Sequence, residues 1–136
     1  MKKLNTVAFF LVSIFFFLSC EDMPVTTGSL DVEVIKNMQF AITSKSYTTD
    51  QLSVIGTIKN TGSETVYPDW FVEGEFYADS TFKLKLGGDN YMMTFPLEPG
   101  VTASWQLIFY SDLYLESDYP HFGIKNLRAF KYKEED

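Results

Sequence analysis

The sequence predicts an antiparallel β-sandwich of seven or eight strands. Three observations lead there. Apolar residues recur at every second position in a series of short runs. Turn residues separate these runs, giving seven or eight strands in ~100 residues. No stretch of the mature chain keeps helical period over the ~11 residues of an average helix. Successive side chains of a pleated strand point to opposite sides, so period-two alternation marks strands with one dry and one wet face. The aromatic content, 13 Phe, 8 Tyr and 2 Trp, also favours strands, although five of the Phe lie in an N-terminal apolar run.

The chain is organised around Leu52–Tyr77, which holds two alternating segments joined by Lys59-Asn60-Thr61-Gly62-Ser63-Glu64. In the first, Leu52, Val54, Gly56 and Ile58 share a face; in the second, Trp70, Val72, Gly74 and Phe76 do. Asn60 and Gly62 tolerate positive φ and suit a turn, and Pro68 stands where a missing N–H does least damage. Gly56, in mid-strand, leaves room for a large neighbour on the facing sheet, Trp70 or Trp105.

On the N-terminal side, Leu30–Ile35 alternates briefly as an edge strand, and Met38, Phe40 and Ile42 mark a better one. Ser44–Gln51 reads as a turn. After the central pair, Phe82, Leu84 and Leu86 oppose Thr81, Lys83 and Lys85, which predicts a strand over Thr81–Leu86. Gly87-Gly88-Asp89-Asn90 then reads as a tight connection to a short strand, Tyr91–Phe95. Pro96–Gly100 introduces Val101–Tyr110, where Ala103, Trp105, Leu107 and Phe109 share a face. Ser111–Phe122 is irregular, with a single helical turn expected around Leu113–Glu116. Gly123–Lys133 is a last strand that can turn inward either Leu127 and Ala129 or Phe130 and Tyr132.

A length of 136 residues suits one domain. The formal charge is −7, and without Lys2 and Lys3 the remaining 9 bases against 18 acids give −9. Such acidity argues against nucleic acid as a partner, since neutralising phosphates takes clustered Lys and Arg. Cys20 is the sole cysteine, so no intrachain disulfide is possible.

Met1-Lys2-Lys3 followed by the 12-residue apolar run Val7–Leu18 fits a secretory signal peptide and is too short for a spanning helix of ~20 residues. Phe17-Leu18-Ser19-Cys20 resembles the bacterial lipobox, although Leu is usual where Phe17 stands. The resemblance implies that residues 1–19 are a lipoprotein signal peptide and that Cys20 becomes an acylated N-terminus, palmitate included. Attachment to the membrane is then through the acyl chains on Cys20. Glu21-Asp22 directly behind the cysteine looks like the export signal of Bacteroidetes lipoproteins, which implies an outer-membrane location. Residues 20–29 form the acylated terminus and a polar tether, and residues 30–136 the folded domain.

The order of features within that domain resembles the bacterial immunoglobulin-like envelope domains of the FxLYD type. The resemblance rests on Val54-Ile-Gly-Thr-Ile-Lys-Asn-Thr-Gly62, on Glu75-Phe76-Tyr77-Ala78-Asp79, and on Leu97-Glu-Pro-Gly100 leading to Trp105. It covers about Met38–Lys133 and implies an immunoglobulin-like sandwich used for protein interaction, assembly or spacing, with no functional residues attached to the match.

Residue chemistry adds little to that. His121, the lone histidine, has no second imidazole or thiol with which to form a typical zinc site, and no G-x-S-x-G elbow accompanies it. Glu73 and Glu75 share a strand face and are expected to pair with Lys83 and Lys85 rather than to flank a glycosidic bond. Asp112, Glu116 and Asp118 do not follow EF-hand spacing. No P-loop, G-x-G-x-x-G, H-E-x-x-H or C-x-x-C occurs, so no catalytic residue, metal or cofactor is assigned. Tyr110, Tyr114, Tyr119 and Phe122 remain, four aromatics with interleaved acids. They fit either a plug closing the end of the sandwich or a rim binding a glycan or peptide, because tyrosine offers contact area at low entropy cost. The sequence therefore supports a lipid-anchored, non-catalytic envelope module, with a surface glycan- or peptide-binding protein using loop 111–122 as the alternative.

Overall fold

The computed structural model describes residues 31–134, so the leader, Cys20 and the tether lie outside the described residues. Seven strands form two antiparallel sheets: β1 (Val32–Ile35), β2 (Met38–Tyr47), β3 (Leu52–Asn60), β4 (Trp70–Tyr77), β5 (Lys85–Met93), β6 (Thr102–Phe109) and β7 (Gly123–Tyr132). One sheet has the order β1-β7-β4-β5, the other β2-β3-β6. The expected antiparallel sandwich is thus the observed fold. Every strand pairs within this span.

The inner faces follow the alternation. Leu52, Val54 and Ile58 of β3 and Trp70, Val72 and Phe76 of β4 are each fully buried. At roughly 1.5–3 kcal/mol for each large apolar side chain removed from water, these rows supply much of the driving force. Trp105 of β6 lies against Gly56: a Cβ at that position would collide with the Trp105 ring and with the carbonyl of Ala41. The space left by Gly56 is therefore filled by Trp105, its cross-strand partner in the same sheet, and not by a residue of the facing sheet as expected.

Asn60, 1% exposed, ties together the end of the sandwich where β3 stops. Its Nδ2 donates to the carbonyls of Glu64 (2.7 Å) and Leu97 (3.0 Å), and its Oδ1 accepts from the N–H of Gly62 (2.9 Å). The Gly100 N–H donates to the Asn60 carbonyl at 2.7 Å. The Asn60–Gly62 and Leu97–Gly100 segments are thus one hydrogen-bonded unit.

Four local expectations are corrected. Strand β2 runs on to Tyr47, so the turn is confined to the residues between it and β3. Thr81–Leu84 is not strand: Phe82 has φ 55, and the Ala78 N–H donates to the Leu84 carbonyl at 2.9 Å, closing the connection. Gly87–Asn90 is not a turn but the middle of β5. Glycine is needed there because a Cβ on Gly87 would stand 2.5 Å from Cε2 of Phe109 on the facing sheet. The helical turn falls at Glu116–Asp118, slightly later than expected. In β7, a bulge near Asn126 (φ 56) sets the phase. Leu127 and Ala129 pack on the core, while Phe130 faces outward and is still only 3% exposed.

The sheet edges are blunted against strand addition. β1 has four residues. β2 carries a bulge between Ile42 and Ser44, and its Lys45 turns inward, Nζ donating to the Phe122 carbonyl at 3.0 Å. Between β5 and β6, Asp89 accepts the Ile108 N–H at 2.7 Å and so occupies a donor on the edge of β6.

Candidate functional site

The loop between β6 and β7 forms one end of the sandwich together with the β2–β3 turn. Its backbone is largely satisfied from within. The Ser111 N–H donates to Oε1 of Glu116 at 2.6 Å, and the Leu113 N–H to Oγ of Ser111 at 3.0 Å. The N–H groups of Asp118, Tyr119 and Phe122 donate to the carbonyls three residues back, from 2.9 to 3.2 Å. Turning Glu116 inward to cap Ser111 leaves that carboxylate 2% exposed. In the irregular segment before it, Leu113 is 85% and Leu115 56% exposed. Exposed leucines around an inward glutamate invert the usual polarity of a loop.

The four loop aromatics divide. Phe122, 1% exposed, is core: its ring stacks on Phe76 at 5.8 Å, with Lys45 Nζ 5.4 Å from its centroid. It is not available to a ligand. Tyr114 and Tyr119 are half-buried against the core and meet edge to face at 6.1 Å. These three plug the end of the sandwich, and Tyr110, 73% exposed, projects into solvent. The accessible apolar surface is therefore Tyr110, Leu113 and Leu115, beside a shallow depression that Asp50, Gln51 and Asp112 also line. The leucines escaped the sequence reading because their alternation with Tyr114 and Glu116 is too short to show which side faces in. The usable signal is Glu116 itself, five residues after a serine whose N–H it can cap.

The other polar constellation lies on the outer face of the four-stranded sheet. Glu75 accepts from Lys85 Nζ (2.8 Å), the Tyr77 hydroxyl (2.8 Å) and Asn126 Nδ2 (2.6 Å). These bonds, Lys85 first, then Tyr77 and Asn126, hold its pKa down to about 2. Glu73 pairs with Arg128 of β7, whereas Lys83, its expected partner, lies in the β4–β5 connection. Each carboxylate is thus engaged with its own base. Asp112 and Asp118 are exposed, His121 sits on the loop surface, and no group of three His, Cys, Asp or Glu able to hold a metal ion occurs among the described residues.

No protein-family model and no curated protein matches the chain. Among solved structures, a β-glucosidase from Kluyveromyces marxianus is similar at 17% identity and a TM-score of 0.39. The match covers 71% of this chain and 14% of that one, and a likeness of this size carries no inference about activity.

Proposed function

We propose that this chain is a lipid-anchored, non-catalytic immunoglobulin-like module of a bacterial envelope that presents its β6–β7 loop to a partner protein. The observation that carries the reading is the placement of two features at opposite ends of one strand. β7 leaves the loop at Gly123 and ends at Tyr132, which pairs with Val32, where the tether enters. At ~3.3 Å per residue, its 10 residues span ~30 Å. A chain held through Cys20 thus carries Tyr110, Leu113 and Leu115 away from its anchor. Clustered exposed apolar side chains of this kind mark interaction sites, and the blunted sheet edges favour contact through the loop over strand addition.

Two measurements test it. Metabolic labelling with a palmitate analogue is expected to mark the full chain and to vanish in Cys20→Ser; absence of label removes the anchor. A photo-crosslinking residue placed at Leu113 in cells is expected to give a discrete protein adduct that Leu115→Asp abolishes, while the same residue at exposed Ile55 gives none. Adducts alike at both positions overturn the loop assignment. Retention on polysaccharide that depends on Tyr110, without a protein adduct, replaces it with the glycan-binding alternative.

A further inference from the structure

The outer face of the four-stranded sheet changes character along its strands. The register places Val34 opposite Phe130, Phe130 opposite Phe71, and Phe71 opposite Met92, one apolar row crossing all four strands. The next row toward the tether is Val32 and Tyr132. Phe71, Phe130 and Tyr132 form a mutual cluster with ring centroids 5.1–5.5 Å apart. Val34, Met92 and Tyr132 are 41–48% exposed. One row further from the tether the face becomes charged, with Glu73 and Arg128, and then Glu75 and Lys85. The loops at the same end add exposed Tyr67 and Phe95.

We infer that this apolar end of the four-stranded sheet docks on the lipid surface to which the chain is anchored, laying Val34, Met92, Tyr132 and Phe95 against the headgroup boundary. The inference rests on the anchor reading above and deepens it. The occupant follows from the distance in sequence between Cys20 and the first strand. Eleven residues separate Cys20 from Val32. Even fully extended, the chain from Cys20 to Val32 reaches only ~40 Å, and confinement on that scale corresponds to effective concentrations of order millimolar. A contact too weak to hold a free domain is therefore sufficient for a tethered one. The polarity gradient suits a bilayer, because tyrosine and phenylalanine settle at the headgroup level and charged groups stay in water. Bases do not drive it: Lys36, Lys131 and Lys133 at this end stand beside Asp31, Glu33 and Glu134. The lipid is accordingly zwitterionic and the docking insensitive to salt.

The chain from Cys20 onward, which contains every described strand, is coupled through its one thiol to maleimide lipid in phosphatidylcholine vesicles. Hydroxyl-radical labelling is then compared with the same chain whose thiol has been blocked. Coupling is expected to slow labelling of Met92 and Tyr132 at least threefold, in low and high salt alike, and to leave Leu113 and Tyr110 unchanged. Tyr132→Glu, a substitution at a surface position, is expected to restore the rate at Met92. Equal labelling of coupled and blocked chains overturns the docking, as does protection that appears only at high surface density, which would report contact between copies. Acylation of Cys20 in cells without protection on vesicles leaves the anchor reading standing and removes only the docking. Protection on vesicles by a chain never acylated in cells removes the anchor reading, and the docking falls with it.

Discussion

Trp70 and Trp105 are both buried and solve different problems. Trp70 Nε1 donates to the Phe95 carbonyl at 3.1 Å, so its indole both fills the core and closes the loop after β5. Trp105 Nε1 is buried with no acceptor among the described residues. Its ring is held by shape, between the space left by Gly56 and an edge-to-face contact with Phe40 at 6.4 Å. A buried donor left unpaired costs ~1–3 kcal/mol. Phenylalanine at either position loses comparable volume, but only Trp70→Phe also strips a carbonyl of its partner. Trp70→Phe is therefore expected to destabilise more than Trp105→Phe, by about 1–2 kcal/mol, in urea titrations of the two variants.

At the scale of elements, three strands converge on one carboxylate. β5 brings Lys85, β7 brings Asn126, and β4 supplies both Glu75 and Tyr77. Because Glu75 titrates at about 2 in the folded chain against an ordinary 4.5, its ionised form is the one the fold favours. That contribution is fully present above the unfolded value and is lost as pH falls through the folded one. Urea midpoints measured from pH 6 down to pH 2 should thus fall less steeply for Glu75→Gln than for the parent chain below about 4.5. Parallel curves would mean that the network is no better than solvent for this carboxylate. The neighbouring Glu73–Arg128 pair is a single, partly exposed contact and is expected to add little.

For the molecule as a whole, the two ends of the sandwich differ in their chemistry. The tether end is apolar and aromatic on the outer sheet face, and the far end exposes Leu113, Leu115 and Tyr110 over a tyrosine and phenylalanine plug. The two roles of the far loop separate by mutation. Phe122→Ala empties part of the core and is expected to cost about 3–5 kcal/mol. Leu113→Ala removes an exposed side chain and is expected to stay within about 0.5 kcal/mol, measured by thermal unfolding of both variants. A Leu113→Ala variant as unstable as Phe122→Ala would make the loop a structural element only.

Alternation in the sequence was enough to establish the fold class and the inner faces of β3, β4 and β6, since burial of one face leaves a period-two signature, but it did not show that the ring over Gly56 comes from the neighbouring strand of the same sheet. It misled over Thr81–Leu84, because an alternating run carries no record of whether a partner strand stands beside it. Gly87 and Gly88 read as a turn in the sequence, because the aromatic ring that requires Gly87 comes from Phe109, 22 positions away. Tertiary structure alone decided that Glu73 pairs with Arg128 and that Phe122 is core while Tyr110 is not. It also decided that Leu113 and Leu115 face water. Each of these depends on which residues distant in the chain arrive at the same place, and only packing determines that.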